Sequence, residues 1–553
     1  MLLQLTLMTL SLIANMCTAN QILNDNETIL EINIVEQSIY HKEQKYSRKN
    51  TSDITSGTLH LGHIGSFHHS NPFKKLGKIS KEAYLNYDTL VTQSQKDQRI
   101  YTGLLAQKVI LSNQNRTITY ILHPQSKFHN QENVQAEDIQ ASIMHMLKKG
   151  PWQYHSLNQL QPVISTPNRH TVQIDCTKPV NIDTVVSFGS IPIARKTTLD
   201  DPTPLGSGPY QLSANRVGNW TEFKRHKDYW AHKQHLQQGL YHFDRVISLY
   251  YRNQHTALEA FKRHEYDLRI EYYHENWQQL KQFSQKHNDL KLEPVDHNRP
   301  IHMQGFVFNL SRSPWQSLKI RKAMEDCFDF NALNKHLFQN NYQRIISFFT
   351  HTPYQGVIED YKGVDNTIAL QRLDHELTSE GWIMHNNTRQ HKTTGQTLQL
   401  KLLLPHNHTE KVAHFYAKDL AKIGIIVSIQ SHEPSQYIHA LKKGNYDLAY
   451  THIANNPLSS ASLKNVWFYD IQQVNLATLA NIHDTKIRDF LCRIEPPSTK
   501  KTKIAQLKDL DNYLIQQHYL IPFWYHNKEW LAYWDNIHKP QNYQPHQSWH
   551  GFF

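Results

Sequence analysis

Residues 409–450 read TEKVAHFYAKDLAKIGIIVSIQSHEPSQYIHALKKGNYDLAY. Thr409 is placed to cap a helix that runs to Ile423 and stops at Gly424. The apolar run Ile425 to Ile429 follows at once and predicts a strand. A second helix, Ser435 to Lys443, ends at Gly444, and Tyr446 to Tyr450 predicts the next strand. Helices and strands that alternate through joints this short form an α/β layer.

Moving outward, the pattern has an echo. TALEAFKRHEYDLR (Thr256 to Arg269) and QYIHALKKGNYDLAY (Gln436 to Tyr450) each run from a helix through a basic turn into Tyr-Asp-Leu and a strand. Two such units in distant segments suit two α/β lobes. Leu318 to Phe328 predicts a helix with Ile320, Ala323, Met324, Cys327 and Phe328 on one side. In the first half, Thr58 to Ile64, Thr117 to Leu122 and His170 to Cys176 alternate as strands. Ala136 to Lys149 is a helix with Glu137 and Asp138 at its positive end, Lys148 and Lys149 at its negative end, and Gly150-Pro151 as its stop. Residues 20–56 are polar, with one brief alternation at Leu30, Ile32 and Ile34, and predict an extended arm.

The chain has 553 residues, room for roughly three or four compact units. Its first nineteen residues carry no charged side chain. Leu2 to Ile13 is too short for a membrane span and leads to Cys17-Thr18-Ala19, so 1–19 is expected to be a secretion signal cleaved after Ala19. Lipid attachment through Cys17 is the alternative, disfavoured by bulky Met16. Three cysteines then remain, Cys176, Cys327 and Cys492, and no CxxC occurs. The net charge of +11 is scattered rather than gathered into a stripe, which argues for a solvated surface and against a nucleic-acid partner.

PLGSGPYQL (Pro204 to Leu212) followed by RHKDYW (Arg225 to Trp230) resembles the motif pair of the extracellular solute-binding proteins of the oligopeptide, dipeptide and nickel group. Gly206 and Gly208 are read as turn residues with angles denied to other residues, and Pro209 as fixing the next turn in a segment passing between lobes. TITYILHPQSKFHNQENVQAEDIQASI is similar to the strand–turn–helix of the same group, with the usual Asp-Gly of the turn replaced near Asn130 and Gln131. Tyr241 to Trp277, Arg299 to Met324 and Tyr519 to Pro540 resemble the YejA-type branch, associated with oligopeptide and microcin C uptake.

The resemblance implies an α/β, two-lobed periplasmic-binding-protein fold of type II, the large peptide-binding class, with an inserted subdomain. Lobe I would combine 57–69, 196–300 and 511–553, the insert would be 70–195, and lobe II 301–510. It further implies a periplasmic, monomeric, non-enzymatic subunit that captures peptides between the lobes, needs no cofactor or metal, and delivers to an inner-membrane ABC permease. Segments facing the cleft in that group supply the ligand-binding candidates: Phe67, His68 and His69; Gln304; Tyr450, His452, Asn455 and Asn456; Trp524, Tyr525 and His526. Each could equally be ordinary packing or surface, Trp524 above all. Many members place an Asp after the strand matching Tyr446 to Tyr450 to pair with the peptide ammonium; here that position is Asn456, or Asn455 if the alignment slips by one. A nickel or metal-complex protein of the same fold is the rival reading, prompted by 37 histidines and the cluster His60, His63, His68, His69. Histidines spread along the whole chain speak instead for compositional bias. A ligand sensor is the other rival, and the chain opens on a signal segment where a transcriptional regulator would carry a helix-turn-helix.

Overall fold

A computed structural model describes residues 20–24, 27–32, 57–93, 101–232, 240–297, 299–357, 363–406, 409–453, 460–468, 475–494, 500–540, 543, 549–550 and 552. The chain divides into two compact units, 1–295 with 529–553, and 296–528. The expected signal and Cys17 lie outside the described residues, as do Asn455 and Asn456.

Unit 1 holds two sheets. The first has six antiparallel strands in the order Asn20–Asn24, Glu27–Ile32, Ala106–Ser112, Thr117–Leu122, Thr171–Asp175, Val163–Asn168. Helix Ala136–Lys149 lays Ile139, Ile143 and Met146 into the same core as Ile118, Tyr120, Val172 and Ile174. The start of the expected arm is therefore a hairpin whose second strand pairs Leu30 with Leu111 and Ile32 with Val109.

The second sheet has seven strands in the order Tyr210–Arg216, Trp220–Arg225, Arg245–Tyr251, Thr58–Ile64, Leu268–Glu271, Lys528–Trp534, Leu290–Asp296. Arg245–Tyr251, Thr58–Ile64 and Leu268–Glu271 run parallel. Lys528–Trp534 runs antiparallel to Leu268–Glu271, and its Leu531 and Tyr533 enter the core beside Leu59, Leu61 and Leu268.

Unit 2 is built on a five-stranded sheet in the order Ile426–His432, Gln399–Pro405, Leu448–Ile453, Met303–Phe308, Leu520–Pro522. Both faces are covered. Leu400, Leu402, Leu404, Phe306 and Phe308 belong to one core, Leu403, Met303, Val307 and Ala449 to the other. A strand buried on both sides needs apolar residues in unbroken succession, which explains Leu402-Leu403-Leu404.

Several boundaries differ from expectation for physical reasons. The chain was expected to return to the first lobe at 511, but it stays in unit 2 through Lys528. Helix Lys500–Gln516 sinks Leu507, Leu510 and Leu514 into a unit 2 core, and Leu520–Pro522 pairs with Met303–Phe308. The strand expected at Tyr446 begins at Leu448, because Tyr446 is buried with its hydroxyl donating to Leu479 O, and Asp447 braces a neighbouring strand. Thr409 sits at the start of helix Glu410–Ala421 with a φ of 57°, so its side chain makes no capping bond. The helix from Leu318 ends at Asp326, with Cys327 fully buried in the core as a packed thiol.

Candidate functional site

In unit 2 the candidates gather around strand Met303–Phe308, which is flanked antiparallel by Leu448–Ile453 and Leu520–Pro522. The flanking chain passes so close that a Cβ on Gly305 would lie 2.1 Å from Ile521 O, so only glycine fits there. Next to it, Gln304 joins three segments. Its Nε2 donates to Trp524 O at 2.7 Å, its Oε1 accepts from the Tyr450 hydroxyl at 3.2 Å, and its backbone carbonyl accepts from Phe523 N at 2.8 Å. The Trp524 ring is buried, stacked on Phe523 at 4.6 Å and tilted against Phe338 at 4.8 Å. Tyr525 donates its hydroxyl to Gln343 and meets His351 edge-on at 5.1 Å. His526 lies 5.4 Å from Tyr342, its Nδ1 accepting from Lys528 N. Exposed His452 lies 5.3 Å from His302. Gln304 thus ties Tyr450 to the backbone at Phe523 and Trp524, the Trp524 ring packs into one core and Tyr525 against the other, and His526 and His452 make separate ring contacts nearby.

Three histidines here are held toward neutrality. Burial lowers the pKa of His302 and of His351, and burial together with the charge of Arg299 takes His297 down to about 4. His302, His351, Tyr342 and Phe338 were not singled out from the sequence. Nothing local marks them among 37 histidines and 28 tyrosines, and only the fold brings them to Tyr525, His526, His452 and Trp524.

In unit 1, Phe67, His68 and His69 follow strand Thr58–Ile64. Phe67 is buried against Tyr250 at 4.8 Å, and Tyr250 in turn meets His63 at 5.3 Å. His68 is exposed, its Nδ1 accepting from Lys78 N at 2.8 Å. His69 is half-buried, which lowers its pKa, and its Nε2 lies 3.0 Å from Leu76 O. Beside it is a largely buried His–Glu contact, an ion pair when the imidazole is protonated, that the sequence did not reveal. His63 Nε2 lies 3.1 Å from Glu82 Oε1, and Ser248 donates to the other carboxylate oxygen. Burial pushes the Glu82 carboxyl up, but the charge and hydrogen bond of His63 outweigh it and hold the group below its usual range.

The histidine cluster dissolves into separate contacts. His60 goes to Asp267, His63 to Glu82, and His68 and His69 to backbone groups of their own loop. Among the described residues no group of three or more His, Cys, Asp or Glu side chains could hold a metal ion.

The glycine motif needs a corrected reason. Neither Gly206 nor Gly208 has a positive φ, and the segment lies wholly within unit 1. A Cβ on Gly206 would sit 1.8 Å from Asn86 O, and one on Gly208 2.3 Å from Leu85 O. The chain passes flat against another backbone there. His129 locks it, with its N–H donating to Gly206 O and its Nε2 2.9 Å from Gly208 O. Pro209 contributes its carbonyl, which accepts from His226 N.

Two α/β units with ordered aromatic and amide side chains suit the binding of a solute, and the family match shows that class. The chain belongs to the bacterial extracellular solute-binding proteins of family 5, whose middle region matches residues 101–473. It is 26% identical over 528 residues to the uncharacterised protein YejA of Escherichia coli, covering 88% of this chain and 86% of that one. To the probable peptide-binding protein YejA of Agrobacterium fabrum it is 24% identical over 553 residues, covering 89% and 88%. Its fold is similar to that of NikA from Brucella suis in complex with Fe(III)-EDTA (TM-score 0.74, 18% identity, 89% of this chain and 99% of that one). It is similar also to the oligopeptide-binding protein AppA from Bacillus subtilis in complex with a nonapeptide (TM-score 0.68, 14% identity, 89% and 97%). The type II periplasmic-binding-protein fold expected from the motifs is the fold of this chain. Among the described residues no helix is long and apolar enough to cross a membrane.

Proposed function

We propose that this chain is the peptide-capturing subunit of an ABC importer, exported to the periplasm, acting as a monomer and handing its ligand to an inner-membrane permease. Phe67, His68 and His69 in unit 1, and Gln304, Tyr450, His452, Trp524, Tyr525 and His526 in unit 2, are its ligand contacts, with Asn455 and Asn456 as the proposed seat of the peptide's amino terminus. The observation that carries this reading is the Gln304–Tyr450–Trp524 brace. It holds the Gln304 amide and the Tyr450 ring in place without a committed charge, a setting suited to main-chain amides and varied side chains. Likeness over nearly the whole chain to a probable peptide-binding protein supports it.

The fold likeness to NikA with its iron chelate keeps one rival in view. Mass spectrometry of protein purified from its native compartment, followed by calorimetry against a peptide library, nickel–histidine and Fe(III)-EDTA, separates the two. Peptide is expected to co-purify and to bind, and binding of a metal chelate alone overturns the proposal. Asn455 and Asn456 carry no charge, and charge-assisted hydrogen bonds are roughly twice as strong as neutral ones. A peptide and its N-acetylated twin are therefore expected to bind within about fivefold of each other, whereas abolition by acetylation would place the anchor on a carboxylate elsewhere.

A further inference from the structure

Tyr272 and Tyr273 stand out as large aromatic side chains left 62% and 43% exposed directly after strand Leu268–Glu271. A costly arrangement holds them. Arg269 and Glu271 form a buried ion pair, Arg269 Nε donating to Glu271 Oε2 at 2.9 Å, while Arg269 Nη1 donates to the Tyr266 hydroxyl at 2.7 Å and Nη2 to Gln254 Oε1 at 3.1 Å. The other carboxylate oxygen, Glu271 Oε1, accepts the backbone N–H of both Tyr272 and Tyr273, each at 2.8 Å. Helix His274–Ser284 starts immediately afterwards, and its Trp277 stacks on Trp530 at 5.7 Å. Backbone on both sides of the two tyrosines is thus fixed by buried groups, while the two residues keep a large share of their surface exposed. Burying two charges costs free energy that a mere surface turn would not repay.

Two further observations say what the rings are for. Strands Arg245–Tyr251, Thr58–Ile64 and Leu268–Glu271 run parallel, so their carboxyl ends share one sheet edge. Phe67 to His69 follow the second of these strands and Tyr272-Tyr273 the third, and ligands of open α/β sheets bind at that edge. The internal repeat gives the same answer. Tyr266-Asp267-Leu268 aligned on Tyr446-Asp447-Leu448 puts Tyr272 at the position of His452 and Ile270 at that of Tyr450.

We propose that Tyr272 and Tyr273 form an aromatic shelf for a side chain of the bound peptide, selecting apolar and aromatic residues at that point, with Arg269 and Glu271 as positioning residues. The proposal rests on the peptide reading above. The test is calorimetry of the full chain, wild type, Tyr272→Ala, Tyr273→Ala and the double variant, against two peptides differing only in Phe or Gly at each position in turn. In the wild type, Phe is expected to bind about tenfold better than Gly at one position, and the double variant to lose that preference while binding the Gly peptide as before. Glu271→Gln is expected to lower the preference partway, with faster hydrogen exchange at the Tyr272 and Tyr273 amides. If the wild type binds no peptide, the peptide reading falls. If it binds peptide and the double variant keeps the full Phe preference, the shelf falls and the peptide reading stands.

Discussion

The two Tyr-Asp-Leu turns do the same mechanical work with different chemistry. In unit 1, Asp267 N donates to His60 O at 2.9 Å and its carboxylate takes back His60 N at 2.7 Å. In unit 2, Asp447 N donates to Lys401 O at 2.9 Å and its carboxylate takes back Lys401 N at 2.8 Å. Each clip stitches the start of one strand to its parallel neighbour, where the ladder would otherwise leave an N–H unmet. The remaining carboxylate capacity is spent differently. Asp447 accepts from Arg312 Nε at 2.8 Å and Trp315 Nε1 at 2.9 Å, whereas Asp267 has Asn536 at 2.8 Å and two half-exposed histidines, His60 and His264, at 3.3 and 3.4 Å. The backbone requirement dictates an aspartate, and the neighbourhood is free to choose how to satisfy the charge.

Removing the carboxylates probes that difference. Asp447→Ala strands a buried indole N–H, a backbone N–H and a guanidinium, and is expected to cost about 3–5 kcal/mol. Asp267→Ala, with softer and more exposed partners, should cost about 2–3 kcal/mol. Hydrogen exchange resolves the two locally, with protection lost in strands Gln399–Pro405 and Leu448–Ile453 in the first case, and in Thr58–Ile64 and Leu268–Glu271 in the second. Equal costs would mean that the backbone clip alone matters.

Acid should strain both units, because burial holds histidines neutral in each. Burial takes both His129 and His550 in unit 1 down to about 4, so both stay neutral when folded, while the unfolded chain protonates them below about pH 6.5. Their contribution to stability therefore falls as pH drops from about 6.5 toward 4. Asp88 runs the other way. Burial raises it to about 7 against the hydrogen bonds of Trp230 and Tyr229, so the folded state gains on protonating it as pH falls through that window. Unit 2 has His297 lowered to about 4. Calorimetric melting at pH 7 and pH 5 is expected to show a smaller acid loss for His550→Gln than for wild type, and a larger one for Asp88→Asn. An unchanged loss in both would show that other groups govern the acid response.

The smallest effect concerns the two histidines on Asp267. His60→Gln and His264→Gln remove half-exposed contacts and should each cost under about 1 kcal/mol at pH 7, read by the same melting experiment. The Asp267 carboxyl is pushed up by burial and pulled lower by His60 and Asn536, so its own contribution is complete above about pH 4 and lost below it. A large penalty for either histidine at neutral pH would make unit 1's clip as charge-dependent as that of unit 2.

Local periodicity was a sound guide wherever one segment made its own structure. Helix Ala136–Lys149 has the bounds its charges and Gly150 announce, and the helix–turn–strand echo is real in both units. It failed wherever the reason for a residue lay far along the chain. Gly206 looks like a turn glycine, and only the passage of Asn86 beside it shows that the missing Cβ is a matter of clearance. Gln304 is one glutamine among many until Tyr450 and Trp524 close on its amide. Tyr272 and Tyr273 were passed over because exposure on a braced edge has no signature in a string of letters.

Strand Lys528–Trp534 has a consequence for how this chain comes into being. It lies between Leu268–Glu271 and Leu290–Asp296, so the seven-stranded sheet of unit 1 has a gap until nearly the last residues have been made. All of unit 2 is translated during that wait, on the order of tens of seconds at ordinary synthesis rates. The sheet whose first strand, Thr58–Ile64, emerges early is thus the one that closes last, after every residue of unit 2 has been made.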